Sequence, residues 1–149
     1  PQGALLSSLD VGTATSYIDD VTDLVNQAYV YVVRAEANDA GLSQSYSNEV
    51  AIIKEPNLYY PTAFTPNGDG LNDIFVVFGQ YIIEFNLRIF NRWGEMLFST
   101  TSLTEGWNGT YNGALMPEGT YAFEATLTDF AGRTYVRSGT VLLLNHRKQ

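Results

Sequence analysis

Oxygen-bearing side chains crowd a glycine-rich stretch between residues 67 and 73, and they are candidate ligands for an ion. Hard cations such as Ca²⁺ bind several carboxylate and carbonyl oxygens that converge on such a turn, so calcium is a candidate cofactor. With Gly70 at the invariant glycine of an EF-hand loop, the first and twelfth positions fall on Thr65 and Val76, and the bidentate glutamate is missing. The alternative is a self-bonded turn whose side chains satisfy nearby backbone amides. The candidate ligands are Asn67, Asp69 and Asp73, with Asn72 beside them.

Catalytic chemistry is limited because the chain has no cysteine and only one histidine, His146. Thiolate nucleophiles, disulfides and thiolate metal sites are thereby excluded. A single histidine cannot form a histidine metal cluster, and Ser-His-Asp catalysis has no other histidine to serve as its base. We predict that the chain is not an enzyme, has no catalytic residue, and needs no cofactor unless the stretch at 67–73 binds calcium.

Aromatic side chains offer a second kind of binding chemistry, the stacking of sugar rings. A stacking platform would make the chain a carbohydrate-binding β-sandwich module of a secreted protein, which is our second functional hypothesis. The alternative places the same rings in the core and at the sandwich ends, because each lies beside turn residues that fold it inward. The five rings are Trp93, Trp107, Tyr59, Tyr60 and Tyr111.

Composition and charge indicate an acidic, folded chain. Of 149 residues 45% are hydrophobic, enough for a packed core, and the net charge is -8. An acidic surface repels phosphate, so we expect neither nucleic acid nor anionic lipid as a partner. The longest aliphatic run, residues 141–144, is far shorter than the roughly 20 apolar residues of a membrane span, so we expect no membrane insertion. No signal peptide is visible, and we expect any export signal to lie upstream.

The elements that position these residues are predicted to be strands, because strand patterns recur at short spacing without a sustained helical period. In the first 55 residues we predict strands at 15–18, 29–36 and 47–53, a turn at 38–41, and one helix or turn at 20–26. From residue 58 we predict strands at 74–78, 82–90, 96–99, 120–129 and 134–144. The predicted fold is all-β, an antiparallel Greek-key Ig-like sandwich of about seven strands.

The first part of the chain, about residues 13–53, resembles the second half of a fibronectin type III or related Ig-like repeat. The segments SYIDD, YVYVVRAEAND and SYSNEV fall where the last three strands of such a repeat would lie. An unrelated β segment is the alternative. The polar joint at residues 54–57 contains a proline, which cannot donate to a continuing ladder. We therefore predict two domains, residues 1–55 and 56–149.

Four local motifs between residues 60 and 123 combine glycine with aromatics. FTPNGDGLND begins at residue 64 and predicts a rigid loop fixed by proline and by Asn-Gly and Asp-Gly. IFNRWGEMLF begins at 89 and predicts a hairpin with Gly94 left-handed and Trp93 as its cap. GWNGTYNG begins at 106, where the Trp107 indole should plug the sandwich end. PEGTYAF begins at 117 and starts a strand with Tyr121, Phe123, Ala125 and Leu127 on one face.

In this order, and closed by the strand GTVLLL from residue 139, the motifs resemble the gliding-motility-associated carboxyl-terminal domain, also called the type B sorting domain. The resemblance implies a folded secretion and attachment signal of large surface adhesins in Bacteroidetes, exported by the type IX secretion system. It further implies two partners, the translocon and a dedicated outer-membrane barrel protein, and a location at the cell surface or outside the cell after passage through periplasm and outer membrane. Asn108 departs from the aspartate common in the family, which weakens any cation role at that position.

We predict three patches as contact sites for the translocon: a loop, a hairpin tip and the terminal segment. The terminal segment, with a strand at 140–144 followed by cationic residues, is predicted to add to a partner's sheet or dock on an acidic surface; a solvated tail is the alternative. The predicted contacts are Pro66, Asn67, Gly68, Asp69 and Gly70 in the loop, Arg92, Trp93 and Gly94 at the tip, and Leu142, Leu144, Arg147 and Lys148 in the terminal segment.

Overall fold

The computed structural model describes residues 7–20, 27–37 and 43–145, and these residues form strands and connecting loops without a helix. The strands are β1 (Ala28–Tyr31), β2 (Arg34–Glu36), β3 (Gln44–Tyr46), β4 (Val50–Ile53), β5 (Asn57–Tyr59), β6 (Ala63–Phe64), β7 (Phe78–Gln80), β8 (Glu84–Phe90), β9 (Met96–Thr100), β10 (Thr110–Tyr111), β11 (Ala114–Leu115), β12 (Gly119–Thr128) and β13 (Thr134–Leu143). The predicted all-β, Ig-like sandwich class is confirmed.

The main sheet has five strands in the order β6-β13-β12-β8-β9. Its pairs are antiparallel except β6 with β13, which run parallel through Leu142 opposite Ala63 and Leu143 opposite Phe64. Two-stranded sheets form from β1 with β4, β2 with β3, β5 with β7, and β10 with β11. Pro61 separates β5 from β6, so the chain leaves one sheet and joins the other at this proline.

The core lies on one face of β12, where side chains alternate between core and exterior with the period of two that a strand imposes. Tyr121, Phe123, Ala125 and Leu127 are all buried, as the sequence predicts. Facing them are aromatic side chains from the loops and short strands. Phe75 packs on Phe123 with 5.4 Å between ring centroids, and Trp107 packs edge-on against Tyr121 at 4.9 Å. The sandwich is therefore closed by rings from outside the main sheet.

Three expectations for the first 55 residues need correction. The strand predicted at 29–36 is divided into β1 and β2, because Val33 donates its amide to Ser47 Oγ and accepts the Ser47 amide, while β1 and β2 pair with different partners. The strand predicted at 47–53 begins only at Val50, and none forms at 15–18, where no neighbouring described strand offers a ladder. Most of the helix or turn at 20–26 and the turn at 38–41 lie outside the described residues.

In the second part, four predicted strands match β8, β9, β12 and β13 to within two residues at each end. The strand predicted at 74–78 is wrong for most of its length. Phe75 makes a single bridge with Trp107, and β7 begins at Phe78. The alternation of Phe75 and Val77 with exposed neighbours comes from burial of a loop against the core, since no ladder partner runs beside it. Within the described part of the chain, no helix has the length and apolar character to cross a membrane.

Several contacts cross the predicted boundary at 54–57. Gln27 donates through Nε2 to the Tyr81 carbonyl oxygen at 3.3 Å, and its Oε1 accepts the Phe130 amide at 3.3 Å. The Lys54 ammonium lies 5.7 Å from the centre of the Tyr81 ring. The first part of the chain thus contacts the end of the sandwich that carries the turn between β12 and β13. The division into two domains and the fibronectin-like identity of the first remain predictions.

Candidate functional site

The loop at residues 66–70 is held by its own side chains. The Asp73 carboxylate accepts the amides of Gly68 and Gly70, both at 2.7 Å. Asn67 Oδ1 accepts the Asp69 amide at 3.0 Å, and Asp69 Oδ1 accepts the Leu71 amide at 2.8 Å. This is the self-bonded turn that the sequence offers as the alternative to a calcium loop.

Backbone geometry at this loop explains its glycines. Gly68 and Gly70 have φ of 74° and 86°, in the left-handed region that side chains with a Cβ rarely adopt. A calcium ion would have to compete with backbone amides for the oxygens of Asn67, Asp69 and Asp73. Within residues 7–20, 27–37 and 43–145, no group of three or more His, Cys, Asp or Glu side chains is arranged to hold a metal ion. Calcium binding remains the untested alternative to the self-bonded turn.

The hairpin tip between β8 and β9 is organised by Asn91. Its Oδ1 accepts the amides of Trp93 and Glu95, both at 3.0 Å, and its Nδ2 donates to Glu95 Oε2 at 2.8 Å. Gly94 has φ of 83°, which confirms the predicted left-handed position. The Asn91 side chain is buried inside the turn.

Trp93 points outward, and the expectation that it caps the hairpin is wrong. Its side chain is 76% exposed, and the Arg92 guanidinium lies 4.3 Å from the ring centre. A large exposed indole beside a cation is a typical anchor for a protein partner, because Trp and Arg are enriched among residues that dominate binding energy. The tip remains a candidate contact site.

Trp107, in contrast to Trp93, is buried, which confirms its predicted place at the sandwich end. Its indole is 1% exposed, packs against Phe64 at 5.5 Å, and donates through Nε1 to the Thr110 carbonyl oxygen at 2.9 Å. Asn108 Oδ1 accepts both the amide and the hydroxyl of Thr110, which fixes the following turn. A stacking platform containing Trp107 is therefore not assembled.

Two other rings of the predicted platform border a surface groove of about 570 Å³ that the sequence patterns do not indicate. Tyr59 is well exposed, while Tyr60 packs edge-on against Phe123 with 4.7 Å between centroids. Phe78 and Ile74 are exposed along the same groove, and Asn72 and Asp73 supply its polar atoms. Two consecutive tyrosines before Pro61 were the available signal, but their convergence with Phe78 depends on the pairing of β5 with β7.

The terminal segment is already paired within the chain. The Leu142 amide donates to the Thr62 carbonyl oxygen at 2.9 Å, and the Leu144 amide donates to the Phe64 carbonyl oxygen at 3.0 Å. Strand addition at 140–144, as predicted, would therefore have to displace β6 from Leu142 and Leu144. The side chain of Leu142 remains partly exposed and available for contact. Arg147 and Lys148 lie outside the described residues.

Strand register brings the loop, the hairpin tip and the terminal segment to one end of the sandwich. Phe90, the last residue of β8, lies opposite Ala122, which lies opposite Thr140 on β13. Phe64, which precedes the loop, lies opposite Leu143. We call this end, with residues 66–70, 92–94 and 142–144, the loop end.

The opposite end carries an ion pair between a buried carboxylate and a half-exposed guanidinium. Asp129 is 2% exposed and accepts the Arg133 amide at 2.8 Å and the Arg133 Nε at 2.6 Å. Burial acts to raise the pKa of the Asp129 carboxyl, but hydrogen bonds from Arg133 outweigh burial and hold this pKa below its usual value. Arg133 also donates to the Ile53 carbonyl oxygen at 3.4 Å. The polar side chains at this end thus bond within the turn and to the preceding chain.

The fold is thus an Ig-like sandwich with structured loops at one end and contacts from the preceding chain at the other. Residues 58–143 match the CHU_C type IX secretion signal domain, and because the match covers more than half of the chain, the chain belongs to this family. The predicted sorting domain is confirmed. No curated protein matches the chain. Family membership gives the chain a sorting role in type IX secretion, an interaction with that secretion machinery, and export to the cell surface or extracellular space.

Proposed function

We propose that the chain is the secretion signal and surface-attachment domain of a large adhesin, that the outer-membrane translocon recognises it as a folded domain, and that it performs no catalysis. The observation that carries this proposal is the loop end. It gathers three structured elements from distant parts of the sequence on a face away from the preceding chain.

Recognition of a folded domain fits the way the loop end is held. The shape of residues 66–70 depends on the Asp73 carboxylate, and the shape of the hairpin tip depends on the Asn91 side chain. A loop fixed before binding loses little conformational entropy when it meets its partner. An unfolded chain would present none of these shapes, so the signal is proposed to exist only after folding.

Our proposal for the identity of the partners rests on the family resemblance. We propose a translocon together with a dedicated outer-membrane barrel protein, in a Bacteroidetes cell whose adhesins serve gliding motility. The first 55 residues contain strand segments that resemble those of a fibronectin type III repeat. This resemblance supports the proposal that the exported adhesin is built from tandem Ig-like repeats. We further propose that the exported chain passes through the periplasm and the outer membrane and is then retained at the cell surface.

The test is a fusion of a cleavable export signal, a fluorescent reporter and residues 1–149, expressed in a gliding bacterium with and without its type IX secretion system. We expect reporter at the cell surface or in the medium only when the secretion system is present. Reporter held in the periplasm of both strains contradicts the proposal. Protease resistance of the periplasmic fusion shows whether the domain is folded before export.

A carbohydrate-binding module is the second candidate, favoured by the exposed Tyr59 and Phe78 along the groove. Aromatic faces beside amide and carboxyl groups are the usual lining of sugar sites. Titration of the chain with a panel of soluble oligosaccharides tests it. Binding that is lost in Tyr59→Ala, at unchanged stability, supports this candidate, and absence of binding across the panel contradicts it.

A further inference from the structure

The outer edge of β13 is free over most of its length. In an antiparallel ladder, alternate residues direct their amide and carbonyl groups to opposite sides of the strand. Leu142 directs its amide away from β12 and toward Thr62, so the period of two directs the same groups of Val136, Ser138 and Thr140 away from β12 as well. β6 covers only the last residues of β13. Among the described residues, no backbone acceptor lies on the three outward amides.

The other edge of the main sheet is better protected. β9 has five residues, its pairing with β8 is interrupted by a register shift next to Phe90, and Thr100 at its end bonds through its hydroxyl to Glu105. Bulges, short length and charge are the usual protections of an edge strand. The stretch from Val136 to Thr140 contains neither proline, lysine nor a bulge. Its one charge is Arg137.

Arg137 makes only a weak ionic contact, although the chain has a net charge of -8. Its closest carboxylate is Glu55, at 4.0 Å, and the two side chains are 43% and 67% exposed. The guanidinium lies 5.5 Å from the Tyr135 ring centre, and its Nη1 donates to the Val136 carbonyl oxygen at 3.4 Å, which holds it beside the strand. Arg133, in contrast, is engaged by Asp129. A carboxylate on an incoming strand can therefore pair with Arg137 without breaking a buried ion pair.

We propose that the edge of β13 from Val136 to Thr140 receives an extended, acidic strand from a protein of the secretion machinery, which adds to the main sheet beyond β13. The proposal rests on the secretion function above and names the kind of contact through which it works. Backbone hydrogen bonds to Ser138, to Thr140 and to the amide of Val136 provide the pairing, and a partner carboxylate beside Arg137 fixes its position. The edge leads directly to the loop end, so one partner can contact both.

Ser138→Pro is the decisive variant, because proline removes the outward amide and is tolerated on an edge where that amide has no partner in the chain. Ser138→Thr is its matched control, since it keeps the amide and favours a strand. Both are made in residues 1–149 of the secreted reporter fusion, and the purified chains are compared by protease resistance. We expect Ser138→Pro to lower surface reporter about tenfold and Ser138→Thr to leave it unchanged, which corresponds to loss of about one hydrogen bond.

A charge variant keeps the test decisive if Ser138→Pro loses its protease resistance. Arg137→Glu reverses the proposed complementary charge, and Arg34→Glu changes the net charge equally at an exposed arginine of the first part. We expect Arg137→Glu to reduce surface reporter several-fold more than Arg34→Glu, at equal protease resistance. Equal secretion of folded Ser138→Pro and Ser138→Thr, or of Arg137→Glu and Arg34→Glu, overturns the strand-addition proposal alone. A wild-type fusion retained in the periplasm contradicts the secretion function itself, and the strand-addition proposal with it.

Discussion

Phe75 and Trp107 exchange two backbone hydrogen bonds, at 2.8 and 2.9 Å, and both side chains are fully buried. This single bridge joins the chain after the loop at residues 66–70 to the turn that carries the second tryptophan. It lets two loop residues supply rings to the core, where regular strands supply most of the other side chains. The loop end therefore depends on a core that reaches beyond the main sheet.

The first prediction concerns the two tryptophans. Replacing Trp107 by alanine should lower the free energy of unfolding by about 3–5 kcal/mol, because a large buried side chain is lost and a cavity remains. Replacing the exposed Trp93 by alanine should change it by less than about 0.5 kcal/mol. Urea denaturation of the two variants and the parent, followed by circular dichroism, provides the comparison. Equal destabilisation by both variants contradicts the burial difference seen in the structure.

The second prediction concerns calcium. Because the oxygens of Asn67, Asp69 and Asp73 bond within their own loop, we expect no heat on titration with CaCl₂ and no change in melting temperature between CaCl₂ and EDTA. Asp73→Ala should lower stability by about 0.5–1.5 kcal/mol, with or without calcium, because two hydrogen bonds that hold the exposed loop are lost. Saturable heat that disappears in Asp73→Ala would show instead that the loop binds the ion.

The third prediction concerns acid. The folded pKa of Asp129 lies below the usual 3.8, so its ionised form stabilises the fold above that pH, and this contribution is lost as the pH falls through the folded pKa. We expect the free energy of unfolding to fall between pH 7 and pH 3, and to fall less in Asp129→Asn. Urea denaturation at the two pH values measures the difference. Parallel losses in parent and variant would exclude Asp129 as a source of the acid sensitivity.

The long strands were predictable from the sequence because their alternation extends over many residues, as in β12 from Tyr121 to Leu127. β6, β10 and β11 have two residues each and are too short to show a period. Residues 74–78 alternate because a loop is buried, a pattern that sequence cannot separate from a paired strand. Local sequence therefore predicts the main sheet better than the layer that covers it.

The candidate site was predictable in its parts and not in its arrangement. The self-bonded loop and the left-handed Gly94 follow from residue types at close spacing. Both tryptophans lie beside glycine turns, yet Trp107 is buried and Trp93 is exposed, a difference that their local sequence does not indicate. The loop end and the free edge of β13 depend on register between distant strands, which no local motif encodes.

The most direct measurement compares secretion of Trp93→Ala with that of Phe130→Ala in the full-length reporter fusion. Both residues are exposed aromatics in turns, 76% and 69% exposed, but Trp93 lies at the loop end and Phe130 at the end that contacts the preceding chain. If the secretion machinery recognises the loop end of the folded domain, Trp93→Ala should lower surface reporter about tenfold at unchanged stability, a typical effect for an interface anchor. Phe130→Ala should be secreted like the parent. Full secretion of a folded Trp93→Ala, or an equal loss in Phe130→Ala, would contradict recognition through the loop end.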